Sequence, residues 1–248
     1  MLFRSEPESQ ESVELKTLGI LGGMSAASTQ LYYRELCNIT RAHRGGLHSP
    51  ELLIRSVNFS EIELLQAQDR WEEAGIRLNL EAKALERGGA HILGLATNTM
   101  HKVAEQMMRG VGIPLVHIAD ATAARLVEQG FTRPGLMATA FTMEQTFYIE
   151  RLIERDLMPV IPGPSDRQMI HQVIYEELCQ DIIRDQSQLA FIHAAERLKA
   201  EGADALILGC TEVALLLNDH NSPLPVFDTT RIHCEALYAA ATNERGHV

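Results

Sequence analysis

The sequence predicts an α/β protein of two pseudo-symmetric lobes, each a parallel sheet flanked by helices, with the active site in the cleft between them. Three observations predict it. Short apolar runs alternate with longer amphipathic stretches, the pattern of βαβ units. The 248 residues suit two lobes of roughly 100–150 residues each. Residues 80–99 also lie over residues 193–212 at a constant offset of 113, with Leu85 on Leu198, Gly89 on Gly202, Ala90 on Ala203, Thr97 on Cys210 and Asn98 on Thr211. Each copy reads as a helix, a Gly-Ala turn, a buried strand and a polar cluster at the strand's carboxyl end. A looser echo, offset by 116, pairs residues 18–24 with 134–140.

In chain order, residues 1–15 read as a flexible polar tail with no apolar segment, neither signal peptide nor anchor. Strands are expected at 17–21, 52–57, 91–96, 115–117, 134–139, 158–161, 205–208 and 225–227, several punctuated by Gly or Pro. Helical patterns cover 28–43, 70–87, 120–129, 145–155 and 188–201, and Gly88-Gly89, Gly130 and Gly202 stop three of them. The lobes divide as 16–115 plus 227–248, and 116–226.

Composition removes several classes of function. With 46% apolar and 22% charged residues, long disorder is excluded. No apolar run approaches the roughly 20 residues of a membrane helix. A net charge of −11 argues against a nucleic-acid partner, which demands a basic stripe. Cys37, Cys179, Cys210 and Cys234 lack CxxC or metal-ligand spacing and are expected as free thiols in a reducing cytoplasm. The ten histidines form no HExxH pattern, so no metal is expected.

Cys210 leads the candidates for chemistry. It follows Leu-Ile-Leu-Gly at a strand-to-helix turn, where helix amides favour anions and lower a thiol's pKa. Gly209 before it leaves room for the turn, and Thr211 and Glu212 supply a hydroxyl and a carboxylate beside it. The other three cysteines read as core residues. Thr97-Asn98-Thr99 is the matching cluster; its groups can hold a carboxylate or an amino group, and Asn98 or Thr99 can equally cap a helix. The segment Gly22-Gly23-Met24-Ser25 lacks the order of a nucleotide loop, but its amides suit a small carboxylate. Its counterpart offers Thr139 and Thr142, which either face the cleft or cap the next helix.

These motifs resemble one family. KTLGILGGMS, ATNTMHKVA, GLMATAFTMEQTFYIERL, IHQVIYEEL and LILGCTEVALLL stand in the order found in the aspartate/glutamate racemase family, and most resemble its L-aspartate/glutamate-specific, broad-specificity amino-acid racemases. The resemblance runs from about Lys16 to the closing VFDTTRIHCEAL. It implies a cofactor-independent, PLP-independent isomerase of amino-acid metabolism, making D-amino acids by a two-base mechanism. One residue removes the α-proton from one face, and the other returns a proton to the opposite face. In most members both are cysteines. Here the second motif is intact at Cys210, while Thr97 stands where the first cysteine would be. Substrate-holding groups carry over to Met24, Gln66, Asn98, Thr99 and Thr211.

Three departures shape the expectation. Thr97 is a poorer base than a thiolate, so the two directions are expected to be unequally served. Ala26-Ala27 follow GGMS and are expected to widen the pocket floor. Gln66 is neutral where a cation can recognise a side-chain carboxylate. Gln66 thus leaves both an acidic substrate and a tolerant pocket open, while the resemblance favours aspartate or glutamate; a homodimer is the expected assembly. The rivals are a decarboxylase or maleate-type isomerase of the same superfamily, and a catalytically weak amino-acid-binding protein.

Overall fold

The computed structural model describes residues 15–180 and 182–242; nearly all of the expected polar tail and the last six residues of the first lobe lie outside the described residues. The elements run β1 (Leu18–Gly22), α1 (Ala26–Arg44), β2 (Leu52–Ser56), α2 (Phe59–Ala67), α3 (Trp71–Arg87), β3 (Ile92–Leu95), α4 (Ala104–Met107), β4 (Leu115–Val116) and α5 (Ile118–Glu128). They continue as β5 (Pro134–Ala138), α6 (Ala140–Glu144), α7 (Thr146–Ile153), α8 (Pro164–Glu176), α9 (Asp185–Ala200), β6 (Ala205–Gly209), β7 (Val226–Asp228) and α10 (Thr229–Thr242). Short 3₁₀ turns occupy Thr99–Val103, Leu178–Gln180 and Thr211–Leu215.

Two parallel sheets result, ordered β2-β1-β3-β4 and β5-β6-β7. Every residue of β1, β3, β5 and β6 is buried, which is why these strands read as unbroken apolar runs rather than alternating ones. The internal echo is structural. Helices α3 and α9 both end before glycines at positive φ, Gly89 at 100° and Gly202 at 94°, and feed the central strands β3 and β6. Each of these strands then enters a 3₁₀ turn.

One predicted strand differs. Residues 158–161 form only a bridge, with Val160 paired to Gly135 in the place that β2 takes beside β1. The Val160 amide reaches the Pro134 carbonyl at 2.8 Å and its carbonyl accepts from Leu136 at 3.0 Å. Pro159 has no amide hydrogen and Pro162 follows, so the ladder cannot lengthen.

The helices after β4 and β7 cross between sheets. Helix α5 follows the first sheet, yet buries Ile118, Ala123 and Leu126 in the apolar core around β5 and β6. Helix α10 follows the second, yet buries Cys234, Leu237 and Ala241 against Leu18, Ile20 and Tyr32. These exchanged helices, packed on each other, hold the two strand-end faces together. Among the described residues no helix is long and apolar enough to cross a membrane.

Candidate active site

The carboxyl ends of β1, β3, β5 and β6 converge on a narrow cleft with a cavity volume of about 40 Å3. Met24, Thr97, Asn98, Thr139, Cys210, Thr211 and Glu212 line it, so seven of the residues expected from sequence come together. Gln66, Thr99 and Thr142 stand behind this lining.

Glu212 organises the Cys210 side. Its carboxylate is buried and accepts from the Cys210 thiol at 2.9 Å, the Thr211 hydroxyl at 2.5 Å and the Ser25 hydroxyl at 2.6 Å. Ser25 belongs to the loop after β1, so this carboxylate also ties the two halves together. Cys179 approaches Oε1, the oxygen that accepts from Ser25, at 3.9 Å.

The expected lowering of the Cys210 pKa is reversed. Burial pushes the thiol well above its ordinary value, and the Glu212 carboxylate pushes in the same direction. The reason is local: Cys210 precedes a five-residue 3₁₀ turn, too short to present the amide field of an α-helix, and a carboxylate stands at hydrogen-bond distance. As a resting group it is a thiol with an acceptor beside it.

Thr97 sits half-buried at the end of β3, where its main chain is held on both sides. Its amide donates to Leu95 at 2.9 Å, and its carbonyl accepts from His101 Nδ1 at 2.7 Å. The other ring nitrogen of His101 accepts the Ile118 amide at 3.3 Å. This fixes the neutral tautomer, and burial, then His117 and His233, hold the pKa of His101 well below its ordinary value.

Asn98 does not cap the following turn. Its amide nitrogen donates to the Thr229 hydroxyl at 3.0 Å, and its buried Oδ1 has no partner among the described residues. Thr99, Thr139 and Thr142 form a buried hydroxyl triad, with 3.0 Å between Thr99 and Thr139 and 3.3 Å between Thr139 and Thr142. Thr139 is the cap residue of α6, but its side chain makes no capping bond there.

The loop after β1 departs from expectation in two ways. The Gly23 amide is already bound to Thr29 Oγ1 at 2.7 Å, so it is not a free donor. Gly23 itself is required: its φ is 91°, and a Cβ there would collide with the Val57 backbone. Ala26 and Ala27 are exposed on the first turn of α1 and leave the cleft floor to Met24 and Ser28.

Sequence reasoning missed Ser25, Ser28, Phe59, Ile174, Tyr175 and Cys179. Cys179, expected as a core residue, is half-buried and lines the cleft, because the end of α8 and the turn after it are laid over the end of β6. Tyr175 donates to Gln66 Oε1 at 3.4 Å, and burial, reinforced by Cys210, pushes its phenol upward. Gln66 is buried with its amide nitrogen 2.9 Å from Met100 Sδ; Tyr175, not Gln66, meets the cleft. No signal of spacing marks α8 as a cleft wall. None of the lining residues carries a positive charge. Among the described residues, no group of three or more His, Cys, Asp or Glu is placed to hold a metal ion.

The family model described as Asp/Glu/Hydantoin racemase matches residues 21–237. A candidate Asp/Glu racemase from Yersinia pestis, known by its crystal structure, is 43% identical and superposes with a TM-score of 0.86, covering 92% of this chain and 99% of that one. An aspartate racemase homologue from Pyrococcus horikoshii OT3 is 34% identical with a TM-score of 0.81, covering 92% and 100%. A broad-specificity amino-acid racemase of Bacillus subtilis (strain 168) is 22% identical over 149 residues, which are 60% of this chain and 64% of that protein. The likeness runs through both sheets and both strand-end clusters, and the chain belongs to the Asp/Glu/Hydantoin racemase family of isomerases.

Proposed function

We propose that the protein is a cofactor-independent amino-acid racemase in which Cys210 and Thr97 act on opposite faces of Cα. One observation carries this: the two residues close one small cleft at the ends of equivalent strands, β6 and β3, and only the Cys210 side has a carboxylate bound to it. Glu212 receives the thiol proton, and the thiolate takes the α-proton. The carbanion is then protonated from the opposite face by the Thr97 hydroxyl, directly or through a water, and bulk water returns a proton to Thr97 and takes one from Glu212. Delivering a proton from an alcohol to a carbanion is downhill, whereas an alcohol is a weak base for the reverse step. The partly buried lining, which carries no cation, strengthens each hydrogen bond that stabilises the carbanion's carboxylate.

The enantiomers have equal free energies in water, so kcat/KM is the same in both directions. The inequality between thiol and hydroxyl therefore appears in solvent exchange: the enantiomer facing Cys210 exchanges its α-proton faster than it inverts. This replaces the expectation of one slow direction. Aspartate and glutamate are the substrates favoured by the family relation, and the absence of a cation from the lining makes neutral amino acids the competing reading. A cytoplasmic homodimer, sedimenting at twice the 27.6 kDa of the chain, belongs to the same proposal.

Proton NMR in D2O on separate enantiomers of acidic and neutral amino acids, without added cofactor, tests it. The α-proton signal of at least one amino acid is expected to disappear with wild type and to persist with Cys210→Ala. Exchange surviving in Cys210→Ala removes that thiol from the mechanism, and silence across the panel overturns the racemase reading.

A further inference from the structure

The cleft contains one buried acceptor whose direction is decided from outside it. An asparagine amide presents either its oxygen or its NH2 after a half-turn, so its partner determines which group faces a ligand. That partner is Thr229, the first residue of α10, fully buried behind the lining. Its hydroxyl has a single hydrogen, donated to the Leu208 carbonyl at 2.9 Å. The hydroxyl oxygen can therefore only accept from Asn98, and it does so at 3.0 Å. The amide nitrogen is thereby engaged on the far side, and Oδ1, buried and without a partner, is left for the cleft.

We infer that Thr229 is a positioning residue that sets the polarity of ligand recognition. By fixing the Asn98 amide, it makes this wall of the cleft accept a hydrogen bond from the ligand, and so selects the α-ammonium group of an amino acid. Leu208 lies on β6 two residues before Cys210, so the same hydroxyl also references the acceptor to the strand carrying the acid–base thiol. Without the hydroxyl the amide is free to turn its NH2 inward, toward a ligand that donates there as well. The inference rests on the amino-acid reading of the site.

The test compares affinity for an amino acid with affinity for its 2-hydroxy analogue, whose hydroxyl can either donate or accept. Wild type, Thr229→Val, Thr229→Ala and Thr229→Ser are measured by calorimetry as full-length proteins. Thr229→Val is expected to weaken the amino acid by on the order of tenfold, the worth of one well-placed hydrogen bond to a charged group. The hydroxy acid should be held within about twofold, because its group adapts to either amide face. Thr229→Ser should keep the wild-type ratio.

A Thr229→Val protein with the wild-type ratio overturns the inference. If Thr229→Val does not fold, the smaller Thr229→Ala makes the same comparison, and a wild-type ratio there overturns it. A wild type that exchanges and binds amino acids while the variants behave alike overturns only the role of Thr229. A wild type that binds no amino acid removes the functional reading and this inference together.

Discussion

Replacing Glu212 with glutamine separates two roles that its carboxylate could play. The group stands 2.9 Å from the Cys210 sulfur, and the thiol is pushed up by burial first and by this charge second. At about 4 Å between charge centres and an effective dielectric of about 20, the repulsion between carboxylate and thiolate is about 4 kcal/mol. Glu212→Gln should therefore move the Cys210 pKa downward and raise its alkylation rate at neutral pH by at least about tenfold. The assay is alkylation with iodoacetamide across pH, read at the Cys210 peptide by mass spectrometry, which keeps the other three thiols apart.

Catalysis should move the opposite way. If Glu212 receives the thiol proton, its loss slows α-proton exchange by about 10²–10⁴, the usual worth of general-base assistance, even though the thiol has become more acidic. A carboxylate that only raised the thiol pKa would give faster exchange on removal. Unchanged alkylation would refute the electrostatic half of the reasoning, and faster or unchanged exchange the proton-transfer half.

Two further outcomes are expected. Thr97→Cys supplies a stronger base on the second face, so exchange of the enantiomer facing it should rise at least tenfold; equal exchange before and after would detach Thr97 from the chemistry. Stability should fall as pH drops below about 6.5, because buried His101, His117 and His233 are neutral in the fold and protonate in the unfolded chain. Burial pushes His117 down to about 3 and His233 to about 4, so each costs up to about 1.4 kcal/mol per pH unit between roughly 6.5 and its folded value. Asp228, pushed up by burial, acts with the opposite sign but is one group against three. Urea midpoints that stay flat from pH 7 to 4 would contradict the neutral cluster.

Local and repeated features are legible in the amino-acid sequence. Buried parallel strands can be read there because both faces are covered and every residue must be apolar, as in β1, β5 and β6. The 113-residue echo can be read because helix, glycine turn, strand and polar cluster follow one another without a gap, and that register alone sets Thr97 against Cys210. Cys210 and its neighbour Glu212 are marked by adjacency.

Whatever depends on distant segments meeting is a property of the tertiary fold. Tyr175 and Cys179 become cleft residues because α8 and its following turn lie over the end of β6, an arrangement with no signature in spacing. Ser25 joins Glu212 across 187 residues, and Thr229 orients Asn98 across 131. The state of the Cys210 thiol escapes sequence reasoning for the same reason. A strand-to-helix turn in the chain would favour a thiolate, whereas the folded environment buries the sulfur and sets a carboxylate beside it. A pKa is a property of what surrounds a group in three dimensions, and adjacency in the chain does not fix those surroundings.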